Sequence, residues 1–109
     1  MASSMEFVEY AAEQLSGAGE ITCRKMFGEY GLYCNGKFFG LICDNQLFVK
    51  ITEAGRSILP GLREASPYEG AKPHFLIEQL EGRERLAQFV IQTCAELPMP
   101  KPRKKKKEQ

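Results

Sequence analysis

No run of apolar residues in this chain approaches the roughly 18 that a membrane-crossing helix needs. The opening Met1-Ala2-Ser3-Ser4 carries neither a basic nor an apolar stretch, so it does not read as a secretory leader, and a cytoplasmic setting without membrane contact is expected. Histidine occurs once, at His74, with no serine or cysteine signature around it. A general base needs a partner positioned beside it, so His74 reads as a strand-edge or surface residue. Of the four cysteines, Cys23, Cys34, Cys43 and Cys94, no two are spaced as Cys-x-x-Cys. Structural zinc usually takes closely spaced ligand pairs, so no metal is expected and the thiols are expected free and buried. Gly28, Gly31, Gly36 and Gly40 lack the strand-to-helix setting of a phosphate or dinucleotide loop, and read as bend, close-packing and turn residues. These absences leave no cofactor and no catalytic constellation to expect. Internal repeats are absent too.

What is present is enough for one core. Hydrophobic residues are 43% and charged residues 27% of 109, the balance of a single globular domain. The net charge of +1 conceals a division: residues 98–109 hold six of the fifteen bases and one of the fourteen acids, a net of +5, which leaves −4 on the remainder. A body of that sign is a poor general attractor for nucleic-acid backbones. The boundaries expected are a domain over residues 1–97 and a Pro- and Lys-rich tail over 98–109, whose composition cannot offset its ordering entropy. Lys104, Lys105, Lys106 and Lys107 are the residues through which such a tail would touch nucleic acid, weakly and with steep salt dependence.

Along the body, Ser3 and Glu6 read as a capping box for a helix over residues 4–16, with Phe7, Ala11 and Leu15 on one face and Gly17 ending it in the left-handed conformation. Strands are predicted over 20–27, 30–34, 37–43 and 46–51. The Asn35-Gly36 and Asp44-Asn45 pairs between the last three predict tight hairpins. Turn arithmetic then sets Leu32 against Phe39 and Gly31 against Gly40. It gathers Tyr33, Phe38, Ile42, Leu47, Val49 and Ile51 on one face, and Tyr30, Leu32, Phe39, Leu41, Phe48 and Lys50 on the other. The facing glycines suggest a helix packed close to the sheet. Thr52 caps a short helix stopped by Pro60-Gly61, residues 61–73 read as loop, and His74 begins a further strand. A last helix over 82–97 carries Leu86, Phe89, Val90, Thr93, Cys94 and Leu97 on one stripe. The fold expected is α+β: an antiparallel meander of four to five strands with the N- and C-terminal helices on one face.

The second sheet face is unusually apolar for a surface open to water, so either another element covers it or it meets a partner. Tyr30, Leu32, Phe39, Leu41, Phe48 and Lys50 are the candidate partner-binding residues. Arg24 joins them as a strand cation suited to an acidic partner. Lys50 is the most suggestive, because an ammonium on an apolar face needs water or a counter-group.

The segment Arg24-Lys25-Met26-Phe27-Gly28-Glu29-Tyr30-Gly31-Leu32-Tyr33, followed by Asn35-Gly36-Lys37 and Leu47-Phe48-Val49-Lys50, resembles the N-terminal domain of the TfoX/Sxy family of competence regulators. The resemblance spans roughly residues 5–97. It implies a secretion-chaperone-like α+β layout and a non-enzymatic regulatory role. Full-length relatives act with a cyclic-AMP-responsive transcription activator to switch on DNA-uptake genes. The resemblance therefore implies a protein partner, a transcription regulator or a second copy of the chain. The separate C-terminal helical domain of the two-domain regulators has no counterpart here, which implies a stand-alone form with a basic tail. The other function weighed is a nucleic-acid accessory protein that binds through that tail.

Overall fold

A computed structural model describes residues 3–97 apart from Phe27, so the tail and its lysines lie outside the described residues. The elements follow in the order α1 (Met5–Leu15), a single 3-10 turn (Ser16–Ala18), β1 (Ile21–Met26), β2 (Glu29–Cys34), β3 (Lys37–Cys43), β4 (Gln46–Val49), α2 (Glu53–Ile58), β5 (Arg63–Ala65), β6 (His74–Ile77) and α3 (Arg83–Glu96). All strands pair antiparallel in one six-stranded sheet of order β1-β2-β3-β4-β6-β5. The fold is α+β as expected, with one strand more than the sequence suggested. The addition is β5, whose Arg-Glu-Ala is too short and polar to announce itself as a strand.

Local chemistry accounts for the element ends. Ser4, one residue later than predicted, caps α1 by accepting from Phe7 N–H at 3.2 Å. Ser3 is instead part of a clasp, its hydroxyl accepting from Asn45 N–H at 2.9 Å. Gly17 does not take the left-handed turn; a Cβ there would stand 3.3 Å from the Ala87 Cβ of α3, and the positive φ of +148° falls on Gly19. Thr52 caps α2 by accepting from Gly55 N–H at 3.0 Å, and Glu96 of α3 accepts from Ala54 N–H at 2.9 Å. Lys37 donates to the Cys94 and Leu97 carbonyls at the end of α3, at 2.6 and 3.1 Å.

Both hairpin turns form as predicted, with φ of +51° and +85° at Asn35 and Gly36, and +54° and +57° at Asp44 and Asn45. The β3–β4 register is the one the second turn dictates, Leu41 facing Phe48 and Gly40 facing Val49. The β2–β3 register begins as predicted, Tyr33 facing Phe38, and then shifts so that Leu32 faces Gly40 and Gly31 faces Leu41. Phe39 is the extra residue of a β-bulge. The predicted pairs Leu32–Phe39 and Gly31–Gly40 are therefore corrected. At Gly40 the close neighbour is not a helix but β4, since a Cβ would run into the Phe48 carbonyl oxygen.

One extra residue redistributes the two faces. Leu32 and Phe39 are fully buried beneath the helices with Ile42, Leu47, Val49, Phe75 and Phe89. They are thus core residues rather than members of an open face. Tyr30 also leans to the helix side, its hydroxyl 3.7 Å from Met5 Sδ on α1. Tyr33 and Phe38 move the other way and join Leu41, Phe48 and Lys50 on the face away from the helices. Both helices pack on one face of the sheet as predicted, but Val8 rather than the half-buried Phe7 joins Ala11 and Leu15 of α1, and Leu86, Phe89 and Val90 of α3, in one core with the sheet. Full burial of each large apolar side chain there contributes about 1.5–3 kcal/mol before entropy.

Candidate functional site

The face away from the helices is partly covered. Ala65 of β5 packs with Leu41, Cys43, Phe48 and Leu76 in a second, smaller cluster. Leu41 and Phe48 are 8% and 3% exposed, so they form the floor of this cluster and not an open surface. Beyond them the β5–β6 connection turns back at Tyr68–Ala71, where Ala71 N–H donates to the Tyr68 carbonyl at 3.0 Å and Gly70 has φ +89°. Between this turn and β2–β3 lies a groove of about 910 Å³.

The groove is built from three pieces. Tyr33 and Phe38, with ring centroids 5.2 Å apart, and Leu41 line the sheet side. Pro67, Tyr68 and Ala71 line the other side, and Tyr68 is 59% exposed. Lys50 stands between them at the end of β4. Its backbone N–H donates to the Phe39 carbonyl at 2.9 Å, so the bulge that turns Phe39 inward also anchors Lys50. Its Nζ lies 4.6 Å from the centre of the Phe38 ring. Burial lowers the Lys50 pKa from its ordinary 10.5.

Charge is unevenly satisfied around this groove. The ion pairs among the described residues are Arg56–Glu64 and Arg63–Glu78, and neither involves Lys50. Glu29, at one end of the groove, is already committed: its carboxylate accepts from Ser3 N–H at 3.0 Å and from Asp44 N–H at 2.9 Å. Burial raises its pKa, but the hydrogen bonds from Asp44 and Ser3 outweigh that and hold it below the ordinary 4.5. Lys72 and His74 stand at the opposite end. Arg24 is exposed on the rim, 5.7 Å from the centre of the Tyr33 ring.

His74 begins a strand as predicted and is half-exposed. It starts β6, an interior strand between β4 and β5, and its Nδ1 is 2.9 Å from the Lys72 carbonyl oxygen. The cysteines are free, with Cys34 and Cys43 buried and Cys23 and Cys94 half-buried, so full burial holds for only two. Among the described residues, no cluster of three or more His, Cys, Asp or Glu could hold a metal, and no helix is long and apolar enough to cross a membrane.

The sheet side of this groove comes from the Arg24–Tyr33 segment and the two hairpins after it. The TfoX N-terminal domain matches residues 13–97 of the chain. The chain belongs to this family. It is also 35% identical over 107 residues to an uncharacterized 12.7 kDa protein in the trpE 5′ region of Spirochaeta aurantia, covering 97% of this chain and 93% of that one. In this TfoX N-terminal domain the family-like segment supplies the second half of β1, the bend at Gly28 (φ +81°) and nearly all of β2. Of the candidate residues, Lys50 and Leu41 come together in the groove with Tyr30 at its margin, Arg24 stands on the rim and Phe48 lies beneath. Leu32 and Phe39 are excluded by the bulge. Sequence reasoning missed Tyr33, Phe38, Pro67 and Tyr68. The adjacent Phe38-Phe39 before Gly40, which breaks strict alternation, was the available sign of the first two.

Proposed function

We propose that this domain is a non-enzymatic regulatory module that works by docking a protein partner, in the transcription and competence setting associated with its family. The observation that carries the reading is the groove on the helix-free face, an apolar channel lined by Lys50 and Lys72, with Arg24 against the Tyr33 ring beside it and the acids Glu29 and Asp44 toward its other end. Its chemistry suits a partner segment that pairs apolar side chains with acidic ones. A rim of cations steers such a segment and fixes its register, while the aromatic floor supplies contact area.

Leu41 and Phe48 are too buried for informative charge substitutions, so the test uses accessible positions. A photo-crosslinking side chain is placed at Tyr33, on the groove, or at Met5, which is 56% exposed on α1. Crosslinking is carried out in the native host. The expected product forms from position 33 and not from position 5, contains a transcription regulator, and is lost in the Arg24→Glu/Lys50→Glu double variant. Equal crosslinking from both faces, or a product indifferent to those charges, contradicts the reading. A product containing only a second copy of the chain replaces the partner with a homodimer.

A further inference from the structure

Lys50 is poorly provided for. Its ammonium lies against the Phe38 ring at 4.6 Å, and the face of a ring cannot accept all three of its N–H groups. A lysine stem ordinarily packs flat and releases its head to water. Here the head stays half-buried between the sheet and the Tyr68–Ala71 turn, with no carboxylate paired to it among the described residues. The Glu29 carboxylate, toward the other end of the groove, is bound by backbone N–H donors of Ser3 and Asp44 and so is already satisfied. The groove therefore combines an apolar lining with a cation that lacks a counter-charge.

We propose that this groove binds a small organic anion, a carboxylate or sulfonate borne on an aromatic or branched apolar body. The Lys50 ammonium takes the anionic head, and Tyr33, Phe38, Leu41 and Tyr68 enclose the body. The volume of about 910 Å³ falls in the range of ligand sites, which are mostly apolar with a few convergent polar groups. Lys72 lines the groove with Lys50, while the acids Glu29 and Asp44 lie toward its other end, so positive potential, and with it the preference for an anion, is confined to the Lys50 end. Such a ligand would act as an effector on the face proposed for docking. The inference shares that face but does not rest on the docking reading, since the anion binds with no protein partner present.

The experiment titrates the full ¹⁵N-labelled chain with 4-phenylbutyrate and, separately, with the uncharged isostere 4-phenylbutan-1-ol. Saturable amide shifts are expected at Phe38, Leu41, Lys50, Tyr68 and His74 with the carboxylate. The alcohol is expected to bind about tenfold more weakly or worse, the scale of one charge-assisted hydrogen bond. Lys50→Met should weaken the carboxylate by a similar factor and leave the alcohol unchanged, while Lys50→Arg restores carboxylate binding. Tyr68→Ala, on the exposed turn, should weaken both ligands and serves if Lys50→Met disturbs the fold. The proposal is overturned if no saturable shift appears at millimolar ligand. It is overturned equally if the shifts map away from the groove, or if carboxylate and alcohol bind alike. Crosslinking from Tyr33 could still succeed in any of those cases, so failure here and failure of the docking reading are separable.

Discussion

Replacing Phe39 by alanine distinguishes the bulged sheet from the regular one that turn arithmetic predicts. In a regular hairpin Phe39 would lie on the helix-free face and Phe38 in the core. With the bulge, Phe39 is fully buried and Phe38 is half-buried against Tyr33 and Lys50. Truncating a buried phenylalanine costs about 3–5 kcal/mol, from lost transfer energy plus the cavity left behind. Phe38→Ala loses its aromatic pairing, about 0.5–1.5 kcal/mol, and part of its burial, for roughly 1–2 kcal/mol in all. A domain of this size has a total stability of about 5–15 kcal/mol, so Phe39→Ala removes a large share of it. Its melting temperature should fall by more than about 10 °C. Urea unfolding followed by circular dichroism, at equal m-values, measures both variants. Phe39→Ala should cost at least about 1 kcal/mol more than Phe38→Ala. Equal costs, or the reverse order, would refute the bulge and with it the assignment of faces.

Three further outcomes follow from the same geometry. Gly40→Ala drives a methyl into the Phe48 carbonyl oxygen, so it should destabilise by at least the roughly 1–3 kcal/mol of an overpacked site, measured by the same unfolding assay. Glu29 has its pKa lowered in the fold, so its stabilising contribution is complete above the ordinary 4.5 and is lost as pH falls through the lowered value. The stability gap between the wild type and Glu29→Gln should therefore be widest near neutrality and shrink below pH 4.5, and a gap independent of pH would contradict the clasp. Burial and the neighbouring Cys34 thiol push Cys94 up from 9.0 to about 11. Its thiolate fraction at neutral pH is then about a hundredfold below that of an unperturbed thiol, and iodoacetamide should label it correspondingly slowly, as mass spectrometry can follow.

Helix boundaries and hairpin turns were legible because each is written in a few adjacent residues. Thr52 as a cap, Asn35-Gly36 and Asp44-Asn45 as turns, and the Leu86–Phe89–Val90–Thr93 stripe all act over one or two turns of chain. The bulge was not legible by counting outward from the Asn35-Gly36 turn. That count assumes one residue opposite one residue, and the Gly40 backbone approaching β4 supplies the exception. From that exception came the misplacement of Leu32 and Phe39, which read as partner-binding residues and are core. β5 was missed because three residues, two of them charged, become a strand only when β6 is beside them. The groove wall of Pro67, Tyr68 and Ala71 was missed for a related reason, since a connection that folds back over a sheet leaves no periodic trace. Lys50 was legible as a cation on an apolar face, but the ring beneath it is Phe38, which the bulge delivered.

Partner docking and anion binding both depend on Lys50 being a partly desolvated cation within an apolar groove, and the most direct measurement is its own titration. Selective ¹³C labelling of lysine, with Lys50→Arg to assign the resonance, follows its Cε shift with pH in the full chain. Lys50 should titrate below 10.5, and the Phe38 ring should displace its Hε protons upfield of those of the other lysines. A Lys50 that titrates at 10.5 or above and has Hε shifts like the remaining lysines would place the ammonium in water, and neither partner nor anion would have a reason to seek it there.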